Sequence, residues 1–226
     1  MIALRNIRKR VRLPSGEWLE ILRGLDLEIR LGESLAVLGR SGSGKTTLLN
    51  VVGLLDRPDC GDYTLGGTDV LKLADRRLAV LRGSHFGFIF QNFFLLQNRT
   101  ALANVAAPLY HAPPGEFRTR TKVASRLLAD VGLGHRLDSL PARLSGGEQQ
   151  RVAIARSLCR DPHYILADEP TGSLDVDTGR DVLDLLFGLV RRRRRSLILI
   201  THDAEVAARA DRVLVLRDGV LAPLPA

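Results

Sequence analysis

Cysteine is almost missing from this sequence: Cys60 and Cys159 are the only two in 226 residues, with no C-x-x-C pair and no metal-ligand spacing. That excludes a disulfide scaffold and a structural zinc site, and a reduced cytosolic setting follows. Long apolar runs are missing as well. The longest uncharged stretches, residues 83–98 and 100–115, are separated by Arg99 and interrupted by His85, Gln91, Asn92, Asn104 and Pro108, so neither can span a bilayer. Residues 1–12 alternate apolar with basic side chains and lack an apolar export segment, so the product is expected to stay inside the cell. Lysine is scarce, at positions 9, 45, 72 and 122 only, which leaves arginine to carry nearly all the positive charge.

What is present is an ordinary globular balance, 45% apolar and 26% charged, in a chain long enough to bury roughly 70% of its unfolded surface as one domain. The net charge of +8 suits nucleic acid, an anionic membrane face or a polyphosphate ligand, and charge alone does not choose among them. The five arginines 191–195 follow a helical apolar pattern over 181–190 and read as a cationic last turn complementing the helix dipole.

Short apolar runs alternate with amphipathic stretches, the pattern of an α/β fold with a mostly parallel sheet. Four runs end in something polar: Ser34-Leu-Ala-Val-Leu38 in Gly39, Phe86-Gly-Phe-Ile-Phe90 in Gln91, Tyr164-Ile-Leu-Ala167 in Asp168 and Glu169, and Ser196-Leu-Ile-Leu-Ile200 in Thr201 and His202. Ligands of open α/β sheets bind beyond the carboxyl ends of the strands, so these ends are expected to face one crevice.

The first end, Gly39-Arg-Ser-Gly-Ser-Gly-Lys-Thr46, fits G-x-x-x-x-G-K-[ST] with a strand before it and an apolar stretch, residues 48–55, after it. Glycines 39, 42 and 44 let successive N–H groups, including those of Arg40, Ser41, Ser43 and Thr47, turn toward phosphate oxygens. Lys45 reaches the terminal phosphates, and Thr46 can ligate Mg²⁺. At the third end, adjacent residues on a strand point to opposite faces, which gives Asp168 and Glu169 different tasks. Asp168 would hold Mg²⁺ and Glu169 would deprotonate the attacking water. His202 and Gln91 gain weight from position: the one can hydrogen-bond a terminal phosphate, the other can touch Mg²⁺ or the lytic water.

Leu144-Ser-Gly-Gly-Glu148 is a second signal. Ser145 and Glu148 stand in the relation of a capping box, ahead of a helical pattern continuing to Arg160. Capping explains these two residues but not Gly146 and Gly147, each costing about 1 kcal/mol against alanine in a helix. Bare N–H groups there could approach an anion closely.

Taken together, the loop 39–46, Gln91, Leu144-Ser-Gly-Gly-Glu-Gln149, the strand ending in Asp168-Glu169, Ser173-Leu-Asp175 and His202 resemble the nucleotide-binding domain of ATP-binding cassette (ABC) transporters over the whole chain. The resemblance implies a single domain, 1–226, with a P-loop NTPase (RecA-like) core at about 36–59, 76–91 and 159–226. It adds an N-terminal antiparallel β subdomain at about 1–35 and 60–75 and an inserted α-helical subdomain at about 92–158, punctuated by Pro108, Pro113, Pro114 and Pro141. It further implies that two copies stack head to tail on MgATP, that Ser145, Gly146 and Gly147 of one copy complete the γ-phosphate site of the other, and that Asp175 couples the two sites. A separate integral membrane permease would be driven from the cytoplasmic face of the inner membrane, with no nucleic-acid partner.

Finer similarity, in Leu54-Leu-Asp-Arg-Pro58, Phe86-Gly-Phe-Ile-Phe-Gln91, Leu102-Ala-Asn-Val105 and Leu166 through Asp175, is to the lipoprotein-release and macrolide-export branch, with the cell-division ATPase as the alternative. The chain departs from the family at Val11, where an aromatic residue usually stacks on adenine; Trp18 could take that place, or apolar contact could suffice. Chromosome-maintenance ATPase heads need a long coiled coil where only 91–145 lies, and translation-associated cassette proteins carry two cassettes per chain. Leu25, Leu27 and Ile29 alternate with Asp26, Glu28 and Arg30 as an amphipathic strand, and Asp218-Gly219 reads as a hairpin turn.

Overall fold

The computed structural model describes residues 1–224. The chain divides into two compact units, one of residues 1–82 with the segment from 196 onward, the other of residues 83–195.

In the first unit, β1 (Ile2–Arg12) pairs antiparallel with β2 (Trp18–Ile29) and with β4 (Cys60–Leu65), and β4 pairs with the short β5 (Thr68–Asp69). The alternation in β2 is realised: Leu25, Leu27 and Ile29 are buried while Asp26, Glu28 and Arg30 face solvent. Ile2 and Leu4 stand between Ile29 and Leu27 on one side and Leu65 and Tyr63 on the other. The buried Tyr63 hydroxyl is satisfied by the Val52 carbonyl at 2.5 Å, as a phenol in a core must be.

A second sheet of the same unit has β3 (Ser34–Leu38) parallel both to β8 (Ser196–Thr201) and to β9 (Arg212–Arg217), with β10 (Val220–Pro223) antiparallel at the edge. Every residue of β8 is buried, and so are Ser34, Leu35, Ala36 and Val37. Unbroken apolar runs of this kind belong to parallel strands covered on both faces. The entry to β3 is fixed by Asp211, whose carboxylate accepts from the Ser34 amide at 2.8 Å and its hydroxyl at 2.6 Å. Asp218 and Gly219, with φ of 51° and 80°, form the two-residue turn between β9 and β10 that their sequence predicted.

In the second unit, β6 (Phe86–Ile89) runs parallel to β7 (Tyr164–Asp168), and the Phe86 and Tyr164 rings stack at 5.5 Å. Between those strands lie α3 (Ala101–Ala106), a 3-10 turn (Ala107–His111), α4 (Pro114–Asp130), another 3-10 turn (Pro141–Arg143) and α5 (Gly146–Ser157). All four prolines lie where helical segments start or meet, because a residue without an N–H is tolerated in a first turn. Helix α6 (Val176–Arg192) buries Val182, Leu183, Leu186, Phe187, Leu189 and Val190 on one face and ends on Arg191 and Arg192. The five-arginine run does more than complement that dipole: Arg193 pairs with Asp130 at 2.8 Å and Arg195 with Asp161 at 2.5 Å.

Gly87 in β6 marks the closest approach in this unit. A Cβ there would lie 2.1 Å from the carbonyl oxygen of Ser157, at the end of α5. Gly87→Ala is expected to lower stability by about 1–3 kcal/mol, read from the midpoint of urea unfolding; an unchanged midpoint would show that α5 is free to move off the strand.

Candidate functional site

The loop between β3 and α1 (Lys45–Val52) is built for an anion. Gly42 and Gly44 have φ of 78° and 96°, values that side-chain-bearing residues rarely adopt, and α1 begins on Gly44 without a side-chain cap. The loop has no room for bulk either: a Cβ on Gly39 would lie 2.7 Å from Ser43 Oγ and 2.8 Å from the Leu216 carbonyl. Lys45 is 7% exposed, and its ammonium donates to the carbonyls of Gly39 at 2.8 Å and Arg40 at 2.9 Å. Carbonyl dipoles hold the lysine in place without neutralising it. Ser43 Oγ is buried with no hydrogen-bond partner, an arrangement that costs about 1–3 kcal/mol unless something polar arrives. These are the features a triphosphate would satisfy.

A cavity of about 730 Å³ opens beside the loop. Residues 39–43 line it, and so does His202, which follows β8; the structure therefore brings the first and fourth polar strand ends together. Thr46, in the first turn of α1, is exposed, and Thr47 is half-buried. The far wall comes from residues that spacing did not single out: Leu19, Ile21 and Arg23 of β2, and Val215 through Gly219. No sequence signal connects those segments to the loop. They meet because the Arg23 amide donates to the Gly219 carbonyl at 2.9 Å, joining β2 to the hairpin. Neither Val11 nor Trp18 lines the cavity, and Trp18 lies under the Arg10 guanidinium, 5.4 Å from ring centroid to carbon. That wall carries Leu19, Ile21, Val215 and Leu216 and no aromatic ring.

In the other unit, Gln91 follows β6 and Glu169 follows β7. A Cβ on Gly172 would lie 2.8 Å from Gln91 Nε2 and 3.3 Å from Glu169 Oε2, so the two side chains converge over that glycine. Ser173 Oγ donates to the Gln91 carbonyl at 3.1 Å, and Gln150 of α5 donates to the Pro170 carbonyl. Asp168 is the last residue of β7, whereas Glu169 has φ of 42°. The sequence separated these carboxylates by the pleat of one strand; the structure adds a backbone reversal at Glu169. A non-glycine residue in this conformation costs on the order of 1 kcal/mol and persists only where its surroundings hold it.

Ser145 caps α5 as predicted. The Glu148 amide donates to Ser145 Oγ at 3.2 Å and the Ser145 amide to Glu148 Oε2 at 2.8 Å. The Ser145 amide, with Arg136 nearby, holds the Glu148 carboxyl below its ordinary value; the contribution of this cap is complete above the ordinary carboxylate range and fades on acidification. Gly147 has a packing reason that the sequence did not reveal: its Cβ would lie 2.4 Å from Thr178 Cγ2 of α6. Gly146 is half-exposed, 3.2 Å from Leu174 by the same measure. Asp175 caps α6, and the Thr178 amide lowers its pKa.

Among the described residues no cluster of three or more His, Cys, Asp or Glu side chains could enclose a metal, and no helix is long and apolar enough to cross a membrane. A magnesium ion that takes most of its oxygens from phosphate and water fits such a donor set, since it needs only one or two protein ligands.

A glycine loop joining a buried parallel strand to a helix, with a buried lysine beneath it, defines a P-loop nucleoside triphosphatase. The family is narrower than that: the chain belongs to the ABC transporter family, whose sequence profile matches residues 22–172, and it is an ATP-hydrolysing domain of that family. It is 49% identical over 98% of its length to a macrolide export ATP-binding/permease protein, MacB, of Rhodopirellula baltica, of which it covers 32%. The chain thus spans about a third of the length of the MacB relatives it matches. It is 46% identical to the lipoprotein-releasing system ATP-binding protein LolD of Syntrophus aciditrophicus, over 97% of each chain. A solved ATP-binding cassette, dimeric and bound to ADP and Pi after hydrolysis, superposes with a TM-score of 0.86 at 37% identity, over 100% of both chains. These relatives favour the export and lipoprotein-release branch over the cell-division alternative.

Replacing the buried ammonium tests the loop. Lys45→Ala should weaken ATP binding at least about tenfold, the loss of one charge-assisted hydrogen bond, by calorimetric titration; wild-type affinity would remove Lys45 from the phosphate site.

Proposed function

We propose that this chain powers a membrane transporter of the macrolide-export or lipoprotein-release kind, two copies closing on MgATP and reopening after hydrolysis to move a permease. The observation that carries the reading is the phosphate cradle: left-handed glycines, a buried lysine bound only to carbonyls, and the orphaned Ser43 hydroxyl. On this reading residues 39–47 grip the triphosphate. Gln91, Asp168 and Glu169 serve that same site from the ends of β6 and β7, as polar strand ends of α/β folds do. The nucleotide-binding core is then residues 36–59, 76–91 and 159–226, beside the β subdomain at 1–35 and 60–75, with residues 92–158 forming the helical part that carries Ser145.

Glu169 accepts a proton from water as its oxygen attacks the γ-phosphorus and the bridging oxygen leaves with ADP. His202 donates to a γ-phosphate oxygen and so orients it. Thr46, Gln91 and Asp168 would hold magnesium, which when bound offsets the charge of the phosphate oxygens. The γ-phosphate is completed by Ser145 Oγ and the first amides of α5 from the second copy, where the positive end of a helix suits an anion. Gly146, the less tightly packed glycine, keeps that approach open. Completion of this kind is worth about 10³ to 10⁵ in rate in related phosphoryl transfers, which makes hydrolysis depend on pairing. The partners are a second copy and a membrane permease. The place of work is the cytoplasmic face of the inner membrane, held there peripherally.

Glu169→Gln is expected to bind ATP normally, to lose steady turnover by at least about a hundredfold, and to elute as a dimer when loaded with ATP. Brisk turnover in that variant would refute Glu169 as the base. Mixing Lys45→Ala chains with Ser145→Arg chains should leave at most one competent site per heterodimer, so turnover equal to two wild-type sites would refute sharing between copies.

A further inference from the structure

Helix α5 buries a polar side chain in the middle of its apolar face. Gln150 is 0% exposed and shares that face with Gly147, Ala153, Ile154 and Ser157. Its Nε2 donates to the Pro170 carbonyl, outside the helix, while Oε1 has no hydrogen-bond partner among the described residues. The reverse amide orientation would set oxygen against oxygen, so the donor is fixed on Pro170. The neighbouring Gln149 behaves differently: it is half-buried and donates back to the Leu144 carbonyl at 3.1 Å, at the start of its own helix. A buried amide satisfied on one side only contributes less to folding than an apolar side chain of the same volume. Packing therefore does not account for a glutamine at 150, and the place its donor reaches does.

Pro170 follows Glu169 directly. The Gly172 amide donates to the Glu169 carbonyl at 3.0 Å, which closes residues 169–172 into a β-turn with proline at its second position. Glu169 enters that turn with φ of 42°, although a side-chain-bearing residue before proline is ordinarily extended. Such a conformation persists only where its surroundings hold it. The turn's own hydrogen bond leaves one coordinate soft, the orientation of the peptide between Pro170 and Thr171, by which turns of types I and II differ. The carbonyl of that peptide is the group Gln150 holds. A Cβ on Gly172 would lie 3.3 Å from Glu169 Oε2 and 2.8 Å from Gln91 Nε2, so a tilt of this peptide moves the floor beneath both side chains.

We propose that Gln150 is a positioning residue for hydrolysis: by holding the Pro170 carbonyl it fixes the turn that aims the Glu169 carboxylate at water. The inference rests on the reading above that Glu169 is the general base. A side chain as buried as Gln150 acts through Glu169 rather than on the nucleotide. Its loss therefore lowers turnover and leaves ATP affinity as it is.

The test is a double-mutant cycle in the full chain. Gln150→Met and Gln150→Leu both remove the donor and fill its space differently. Each should lower kcat about ten- to a hundredfold, the scale of a misplacement of about 1 Å, with the KM for ATP and the calorimetric ATP affinity unchanged. In the Glu169→Gln background, where the base is already gone, adding Gln150→Met should lower the residual single-turnover rate by less than about twofold. That double variant should still elute as an ATP-loaded dimer, which shows that it is folded. Wild-type turnover in both Gln150 variants, with Glu169→Gln inactive, would overturn the role of Gln150 and leave the base reading intact. An equal fold-loss in the two backgrounds, or a loss in only one of the two Gln150 variants, would trace the effect to the packing of α5 and overturn the proposal as well. So would a double variant unable to pair although Glu169→Gln alone does. Brisk turnover by Glu169→Gln itself would instead remove the base, and the proposal with it.

Discussion

A buried ammonium with no carboxylate partner among the described residues is the constraint around which the loop after β3 is organised. Lys45 is 7% exposed, and its partners are the carbonyls of Gly39 and Arg40. Two dipoles can orient a cation, but they cannot cancel its charge, so the site retains a strong preference for anions. The loop that presents those carbonyls passes through left-handed conformations at Gly42 and Gly44, and α1 starts on Gly44 without a side-chain cap. The burial that makes the lysine effective is provided by β3 and its neighbours β8 and β9, whose apolar residues supply the stability that an unneutralised charge consumes.

Small residues serve two purposes in the other unit. Gly147 lets α5 pack against Thr178, while half-exposed Gly146 leaves the helix start accessible. Glycine was unexplained by capping alone, and for Gly147 close packing against Thr178 supplies a reason. A similar economy holds at Glu169, where a reversed backbone sets the carboxylate toward Gln91 over Gly172, a position that the last residue of a regular strand would not reach. Gln150 anchors the turn by its bond to the Pro170 carbonyl, so a buried amide of α5 takes part in positioning the residue after β7.

Much of this was legible beforehand, for local reasons. The loop 39–46, the capping box at Ser145 and Glu148 and the hairpin at Asp218-Gly219 are each specified by residues a few positions apart, and each formed as read. The second wall of the cavity beside the loop was not legible, because Leu19, Ile21 and Arg23 are brought to Val215 through Gly219 by a backbone hydrogen bond that leaves no mark on side-chain spacing. Trp18 illustrates the same limit: the family resemblance made it a candidate for a base platform, and whether it lies under Arg10 or in the lining of the cavity is a matter of contacts between distant residues.

The sequence by itself determined the chemistry: a phosphate-binding loop, a carboxylate pair after a buried strand and a capped glycine helix, because backbone conformation and charge at these points are set by neighbouring residue types. Tertiary structure alone decided what surrounds them: the second wall of the cavity beside the loop, the packing against Gly147 and the convergence of Gln91 with Glu169. Contacts between distant segments depend on how strands and helices fill space, and no local pattern records that.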